Sequence, residues 1–231
     1  MNIKISKEEH DYLHKWIIRE FVVGSHLYGT AKEGSDKDIL CIYDIGPLMT
    51  YSPQYTEYLP NYHQFQYDDV ENNIQYIYTT VEQFHKNLNS GDSTINADVI
   101  MFYPSVFNAL RMCRTYNVIK AFIGFAKRDL KNPKGKNKLF HAHRSLYCAK
   151  MLISGQLPTI DGIKGIADFP SSVHSLIQFE ATLRDWLNEL YDRGEIDRYY
   201  IPALPKSLTP QNTLLVKLLQ SNNTKEFKYD L

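Results

Sequence analysis

Residues 22–43 read VVGSHLYGTAKEGSDKDILCIY, and the N-terminal half of the fold is decided by how this stretch divides. Residues 20–23 (EFVV) form a short aromatic and β-branched run that predicts a strand ending on Gly24. Residues 38–43 (DILCIY) predict a second strand. Between them lies GSHLYGTAKEGS, a connection with three glycines and small polar residues. Upstream, Ser6-Lys7-Glu8-Glu9 reads as a capping box. The helix it opens carries Tyr12, Leu13, Trp16 and Ile17 at helical spacing. Helix, strand, glycine-rich connection and strand make the entry pattern of a small α/β or α+β unit.

The chemistry of the stretch lies in Gly24-Ser25 and Asp36-Lys37-Asp38. Asp36 and Asp38 are two apart at a strand start, so their carboxylates are expected on one face. Two carboxylates aimed together repel unless a cation sits between them. Mg²⁺ (or Mn²⁺) suits, because it accepts one or two carboxylates and leaves positions for phosphate oxygens. Gly24 has no side chain to keep a triphosphate from the backbone, and Ser25 offers a hydroxyl and an N–H to a phosphate oxygen. D-x-D at a strand start also occurs as ordinary turn and edge chemistry, so the whole arrangement carries the reading.

Outward from this core, residues 46–66 are rich in tyrosine and proline without a clear period, which reads as a loop or irregular hairpin. Residues 75–80 (QYIYTT) predict a third strand, and 80–88 a helix. Residues 98–102 (DVIMF) suit either a strand or a buried helical turn. From about residue 105 the texture becomes helical. Apolar residues recur at threes and fours through Ile119, Phe122, Ile123 and Ala126, through Leu139, Leu146, Ala149 and Leu152, and through Val173, Leu176, Leu183, Leu187 and Leu190. A proline-containing break at 199–210 and a short helix at 214–219 are expected to follow. The fold class is therefore α+β: a small mixed-sheet domain over 1–104, then a helical domain over 105–231.

The chain has 231 residues, 43% hydrophobic and 23% charged, enough to bury a real core. Lys plus Arg and Asp plus Glu number 26 each, which excludes binding to nucleic acid or membrane driven by overall charge. The zero sum hides a division. Residues 44–98 hold eight acids and one base, whereas 127–144 hold seven bases and one acid. Within the basic stretch, Lys138, His141 and Arg144 are spaced to share a helix face, where they suit phosphates or an RNA backbone. The plainer reading is a solvated basic loop beside an ordinary helix. Cys41, Cys113 and Cys148 are widely spaced and form no C-x-x-C pair, so neither a zinc ribbon nor a disulfide framework is expected. They read as core residues. No run is long and apolar enough for a membrane span, and a cytoplasmic protein is expected. No pattern points to an oligomeric state.

The stretch 22–43 resembles the nucleotidyltransferase signature of the DNA polymerase β superfamily. Within that superfamily it is similar to the RNA-repair-associated type found in bacteria and their phages. Gly24-Ser25, Tyr28-Gly29-Thr30-Ala31 and Ser35-Asp36-Lys37-Asp38 carry the likeness. Weaker similarity continues through Asn96, Ala97, Asp98 and Pro104, the Lys138, His141 and Arg144 helix, and Gly155 as a helix-ending glycine. The resemblance implies transfer of a nucleoside monophosphate from an NTP to an acceptor hydroxyl, with RNA or tRNA as a candidate acceptor. It implies catalysis through Asp36 and Asp38 as metal ligands in a two-metal site. It also implies nucleotide contacts from Gly24, Ser25, Ser35, Lys138, His141 and Arg144. One departure stands out: Gln75 falls where the superfamily places a third carboxylate. Asp98 is the first candidate to stand in, ahead of Glu71 and Asp69. The alternatives are a nucleotide-binding or regulatory module without turnover, and nucleotidylation of a small molecule (aminoglycoside-type) or a protein.

Overall fold

The computed structural model describes residues 2–43, 64–81, 83, 84, 87, 98, 99, 116–134, 137–168 and 171–196. The chain divides into two compact units. One is drawn from residues 2–27 and 31–86, the other from Tyr28–Thr30 and the described part of Asn87–Pro202. The 104/105 boundary, Cys113, Pro104, the break at 199–210 and the 214–219 helix lie outside the described residues.

The first unit is a five-stranded mixed sheet with a helix on one face. Strand β1 (Asn2–Lys4) leads to helix α1 (Lys7–His14), β2 (Ile17–Val23), the single turn α2 (Gly24–Leu27), β3 (Lys37–Tyr43), β4 (Gln64–Asp69) and β5 (Ile74–Thr80). The spatial order is β1-β4-β5-β3-β2. β3 and β5 run parallel, while β2 pairs antiparallel with β3 and β4 with β5. The capping box forms as expected. Ser6 Oγ accepts from the Glu9 N–H at 3.3 Å, and Glu9 Oε2 accepts from the Ser6 N–H at 2.7 Å. The helix is shorter than its apolar spacing suggested. Trp16 follows α1, and Ile17 begins β2, because β-branched Ile17 and Ile18 suit the pleat and Ile17 pairs with Tyr43.

Side chains alternate across the sheet. The face under α1 packs Leu13 of the helix against Cys41, Tyr43, Phe65 and Tyr78. His10 also reaches this face, where Nδ1 lies 2.7 Å from the Tyr78 hydroxyl and the ring stacks on Tyr67. Burial of each large apolar side chain contributes roughly 1.5–3 kcal/mol. The opposite face carries Phe21, Val23, Leu40, Ile42 and Ile77 as its buried apolar residues. Two strands escaped the sequence reading. β1 is only three residues long, and β4 begins inside the stretch read as loop, although its Gln-Phe-Gln-Tyr-Asp alternation has the period of a strand.

Past β5 the expected helix is present at residues 81, 83, 84 and 87, and Thr80 Oγ1 accepts from the Gln83 N–H at 3.1 Å. Asp98 and Val99 are helical, deciding between the two readings of that segment. The second unit is helical: α3 (Tyr116–Lys131), α4 (Lys138–Ile153), α5 (Ile160–Asp168) and α6 (Val173–Asp192). α3 packs on α4, α6 on both, and α5 on α4. Their apolar stripes supply the core, with Ile119, Phe122, Leu146, Leu152, Leu176 and Leu183 all buried. At the end of α4 the Gly155 N–H reaches the Leu152 carbonyl and the Gln156 N–H the Met151 carbonyl, closing the helix at the expected glycine. Cys41 and Cys148 are free and buried. No helix among the described residues is long and apolar enough to cross a membrane.

Candidate functional site

The end of β2 and the start of β3 bring the polar residues of 22–43 together. Val23 pairs with Asp38, so the turn beginning at Gly24 starts beside the Asp38 side chain. Gly24 has φ +69°, and a Cβ built there would fall 2.5 Å from Asp38 Oδ2. The glycine is therefore required twice: for the left-handed backbone and for the carboxylate lying against it. Asp36 stands just before β3 and is exposed, whereas Asp38 is half-buried. Burial, and then the neighbouring Asp36 charge, push the Asp38 carboxyl above its ordinary range, and His26 acts in the opposite direction. A half-buried acid raised by an exposed acid beside it suits a divalent cation, and Gly24, having no side chain, leaves room for the Asp38 carboxylate.

The loop that delivers these residues is tied at both ends. Ser35 Oγ accepts from the Lys32 N–H at 2.9 Å, its own N–H reaches the Lys32 carbonyl, and His26 Nε2 lies 3.2 Å from the Ser35 carbonyl. Asn73, in the β4–β5 turn, donates from Nδ2 to the Gly34 carbonyl and accepts the Lys37 N–H on its own carbonyl. Ser35 thus spends its hydroxyl on loop geometry. His26 was not singled out by sequence, although it follows Gly24-Ser25 directly.

Gln75 lies on β5. It pairs with Asp38 across β3 and β5, and with Asp68 across β5 and β4. Asp68 is a residue that sequence reasoning missed. Lys4 Nζ meets its Oδ2 at 2.7 Å, and Gln66 Nε2 and Gln75 Nε2 donate to its Oδ1 at 2.8 and 3.1 Å. Lys4 and then Gln66 hold its carboxyl below the ordinary range. Asp69, the third stand-in considered, alternates to the other face and accepts from the N–H and side chain of Asn72 in the turn. Glu71 is exposed in that same turn. Among the described residues, no three His, Cys, Asp or Glu are grouped to hold a metal.

The remaining expected residues belong to the helical unit. Asp98 is 3% exposed, and burial raises its carboxyl while Arg144 and Tyr28 act to lower it. The Arg144 guanidinium lies 4.6 Å from the centre of the Tyr28 ring, and both side chains are buried. The aromatic of the glycine-rich signature is thus a core residue covered by a cation. Lys138 Nζ meets Asp129 Oδ1 at 3.0 Å. His141 is half-buried, and burial, then Arg144, hold its imidazole below the ordinary range. Lys127, Arg128, Lys131 and Lys134 are exposed.

No curated protein matches the chain. A family model does: residues 4–100, which include β2 to β5, Gly24, Asp36, Asp38, Asp68 and Gln75, match the nucleotidyltransferase domain, so the sheet unit is similar to domains that carry out NTP-dependent nucleotidyl transfer.

Proposed function

We propose that the protein is a metal-dependent nucleotidyltransferase that moves a nucleoside monophosphate from an NTP to an acceptor hydroxyl. The observation that carries this reading is the Asp36–Asp38 pair, with Asp38 set against Gly24 in a sheet that matches the nucleotidyltransferase domain. Asp36 and Asp38 would hold a divalent cation, Mg²⁺ or Mn²⁺, which when bound neutralises charge on the triphosphate. Gly24 leaves room beside the carboxylate, and Ser25 would offer its hydroxyl or N–H to a phosphate oxygen. In the reaction the acceptor oxygen bonds to the α-phosphorus, the bond from that phosphorus to the bridging oxygen breaks, pyrophosphate leaves with the electron pair, and the hydroxyl proton passes to solvent.

The acceptor we favour is RNA of the tRNA class, in keeping with the RNA-repair-associated resemblance. The exposed cations at 127, 128, 131 and 134 support an anionic acceptor. Lys138, His141 and Arg144 enter the proposal less directly. Lys138 is shared with Asp129, and Arg144 with Tyr28 and Asp98. For the same reason we read Asp98 as a structural acid of the helical unit. The experiment is incubation with each α-labelled NTP and Mg²⁺ or Mn²⁺ against pooled tRNA, an aminoglycoside and the protein itself. Label is expected on tRNA with stoichiometric pyrophosphate, and Asp38→Asn should abolish it. Label on the protein or the aminoglycoside would move the acceptor assignment. NTP binding without transfer to any acceptor would favour the alternative, a nucleotide-binding module without turnover, which the neutral Gln75 makes specific.

A further inference from the structure

The sheet face that carries Asp38 carries a continuous polar row. Register places Asp38 of β3 opposite Gln75 of β5, and Gln75 opposite Asp68 of β4, while Lys4 of β1 pairs with Gln66 one alternation along β4 from Asp68. Residues directly opposite on one face lie about 5 Å apart. Asp68 is the anchor of the row. Lys4 Nζ, Gln66 Nε2 and Gln75 Nε2 all donate to it, at 2.7, 2.8 and 3.1 Å. An ionised carboxylate can only accept, so the Gln75 atom facing Asp68 has to be its NH₂ group. The amide is planar and two-ended. Once Nε2 is fixed toward Asp68, Oε1 is turned away from it, and the next strand on that side is β3, with Asp38 directly across. No donor among the described residues engages this oxygen.

From this juxtaposition we infer that Gln75 Oε1 is a neutral third oxygen donor to the cation held by Asp36 and Asp38, with Asp68 and Lys4 as positioning residues that lock the amide the right way round. The inference rests on the reading of Asp36 and Asp38 given above. Amide carbonyls are ordinary ligands for hard divalent cations. Replacing a carboxylate by an amide leaves the site one negative charge short of a three-acid site. Such a site binds the free cation weakly and takes it together with the triphosphate, whose oxygens complete the charge balance. Gln75 has no ionisable group, so it cannot serve as a base for the acceptor hydroxyl. That distinguishes this assignment from any in which position 75 takes a proton.

The test is Mn²⁺ binding followed by electron paramagnetic resonance, with and without a non-hydrolysable NTP analogue, on the full chain. Gln75→Ala should weaken Mn²⁺ binding in the ternary complex by about tenfold, and Gln75→Glu should tighten binding of free Mn²⁺ by about tenfold. Asp68→Ala should weaken binding by about tenfold although it removes no ligand, because the amide is then free to turn over. Asp68→Asn keeps an acceptor oxygen and should recover most of the loss. A purely structural Asp68 would change melting temperature without this rescue of the Mn²⁺ signal. Melting curves of the metal-free variants separate folding from binding. If Asp38→Asn removes Mn²⁺ binding while Gln75→Ala and Gln75→Glu both leave it unchanged, the role of Gln75 is overturned and the two-carboxylate reading survives. If Asp38→Asn leaves Mn²⁺ binding intact, the underlying reading fails as well.

Discussion

The two compact units treat acids in opposite ways. In the helical unit each acid buried among the described residues has a cation beside it. Asp129 takes Lys138 and Arg128, Glu180 takes Arg184 at 3.2 Å, and Asp98 is countered by Arg144. In the sheet unit Asp68 is likewise neutralised by Lys4, but Asp38 lies against Gly24, which makes room for it, and feels the charge of another acid, Asp36. A compensated acid holds the fold together and has no charge to spare for a ligand. A pair of neighbouring acids without an ion-pair partner among the described residues, opposed only by His26, is unfavourable in the free protein and becomes favourable when a cation arrives. Charge compensation therefore separates the acids that serve the fold from those available to a substrate.

The largest effect that would break this contrast comes from the pair itself. Asp38→Asn should reduce nucleotidyl transfer by about a thousandfold or more, roughly 4 kcal/mol of lost charge stabilisation, while leaving the metal-free melting temperature unchanged or higher. Arg144→Met should do the reverse. It leaves Asp98 buried without its counter-charge and should cost about 3 kcal/mol in chemical denaturation. Unaltered stability in Arg144→Met, with transfer lost, would make Arg144 a substrate ligand and erase the distinction between the units.

A glycine pair sharpens the comparison further. Gly24→Ala should lose about 1–2 kcal/mol through its positive φ and, in addition, lose Mn²⁺ binding as the new Cβ displaces Asp38. Gly34 also has positive φ, +76°, but a Cβ there meets nothing within 4 Å. Gly34→Ala should therefore show the same order of strain and keep its Mn²⁺ affinity. Equal Mn²⁺ loss in both would assign the effect to the loop rather than to the carboxylate cradle.

The smallest expected effect is a pH dependence. Asp38 has its folded-state pKa raised, so its contribution to stability is fully present below the ordinary carboxylate range and lost as pH rises through the folded value. Wild type and Asp38→Asn should thus melt together in acid. At neutral pH without divalent ions the variant should melt higher, and Mg²⁺ should close that gap by stabilising the wild type alone. Comparing the two proteins cancels the contribution of the histidines. His10, His141 and His143 have lowered pKa values, and stability they contribute above the ordinary histidine range is lost as pH falls through their folded values. A gap that persists in acid would show that Asn acts by packing and not by removing charge.

Gly24, Ser25, Asp36 and Asp38 were legible because their chemistry is local. A strand that ends on glycine, a short loop and a D-x-D at the next strand start are written in consecutive residues. The three helical stripes were legible for a related reason, since periodicity is a property of each segment alone. α5 and the short β1 fell below that threshold. β4 did not, because its alternation was present and was masked by the irregular stretch before it. The spacing of Trp16 and Ile17 fits a helix, but the helix ends before Trp16 and pairing with Tyr43 puts Ile17 in β2.

What the sequence determined by itself is thus an α+β chain with two acids and a glycine at one turn, and a helical remainder with the basic stretch at 127–144. The tertiary structure alone decided which other residues share the face of Asp38. Register across β3, β5 and β4 puts Gln75 and Asp68 in that row and turns Asp69 away, although Asp68 and Asp69 are neighbours in the chain. It also decided that Tyr28, Asp98 and Arg144, distant in sequence, meet in the helical core. The physical reason is the same in both cases. Strand pairing and core packing are settled by burial summed over many residues, and a slip of one position would have exchanged every side chain between the two faces.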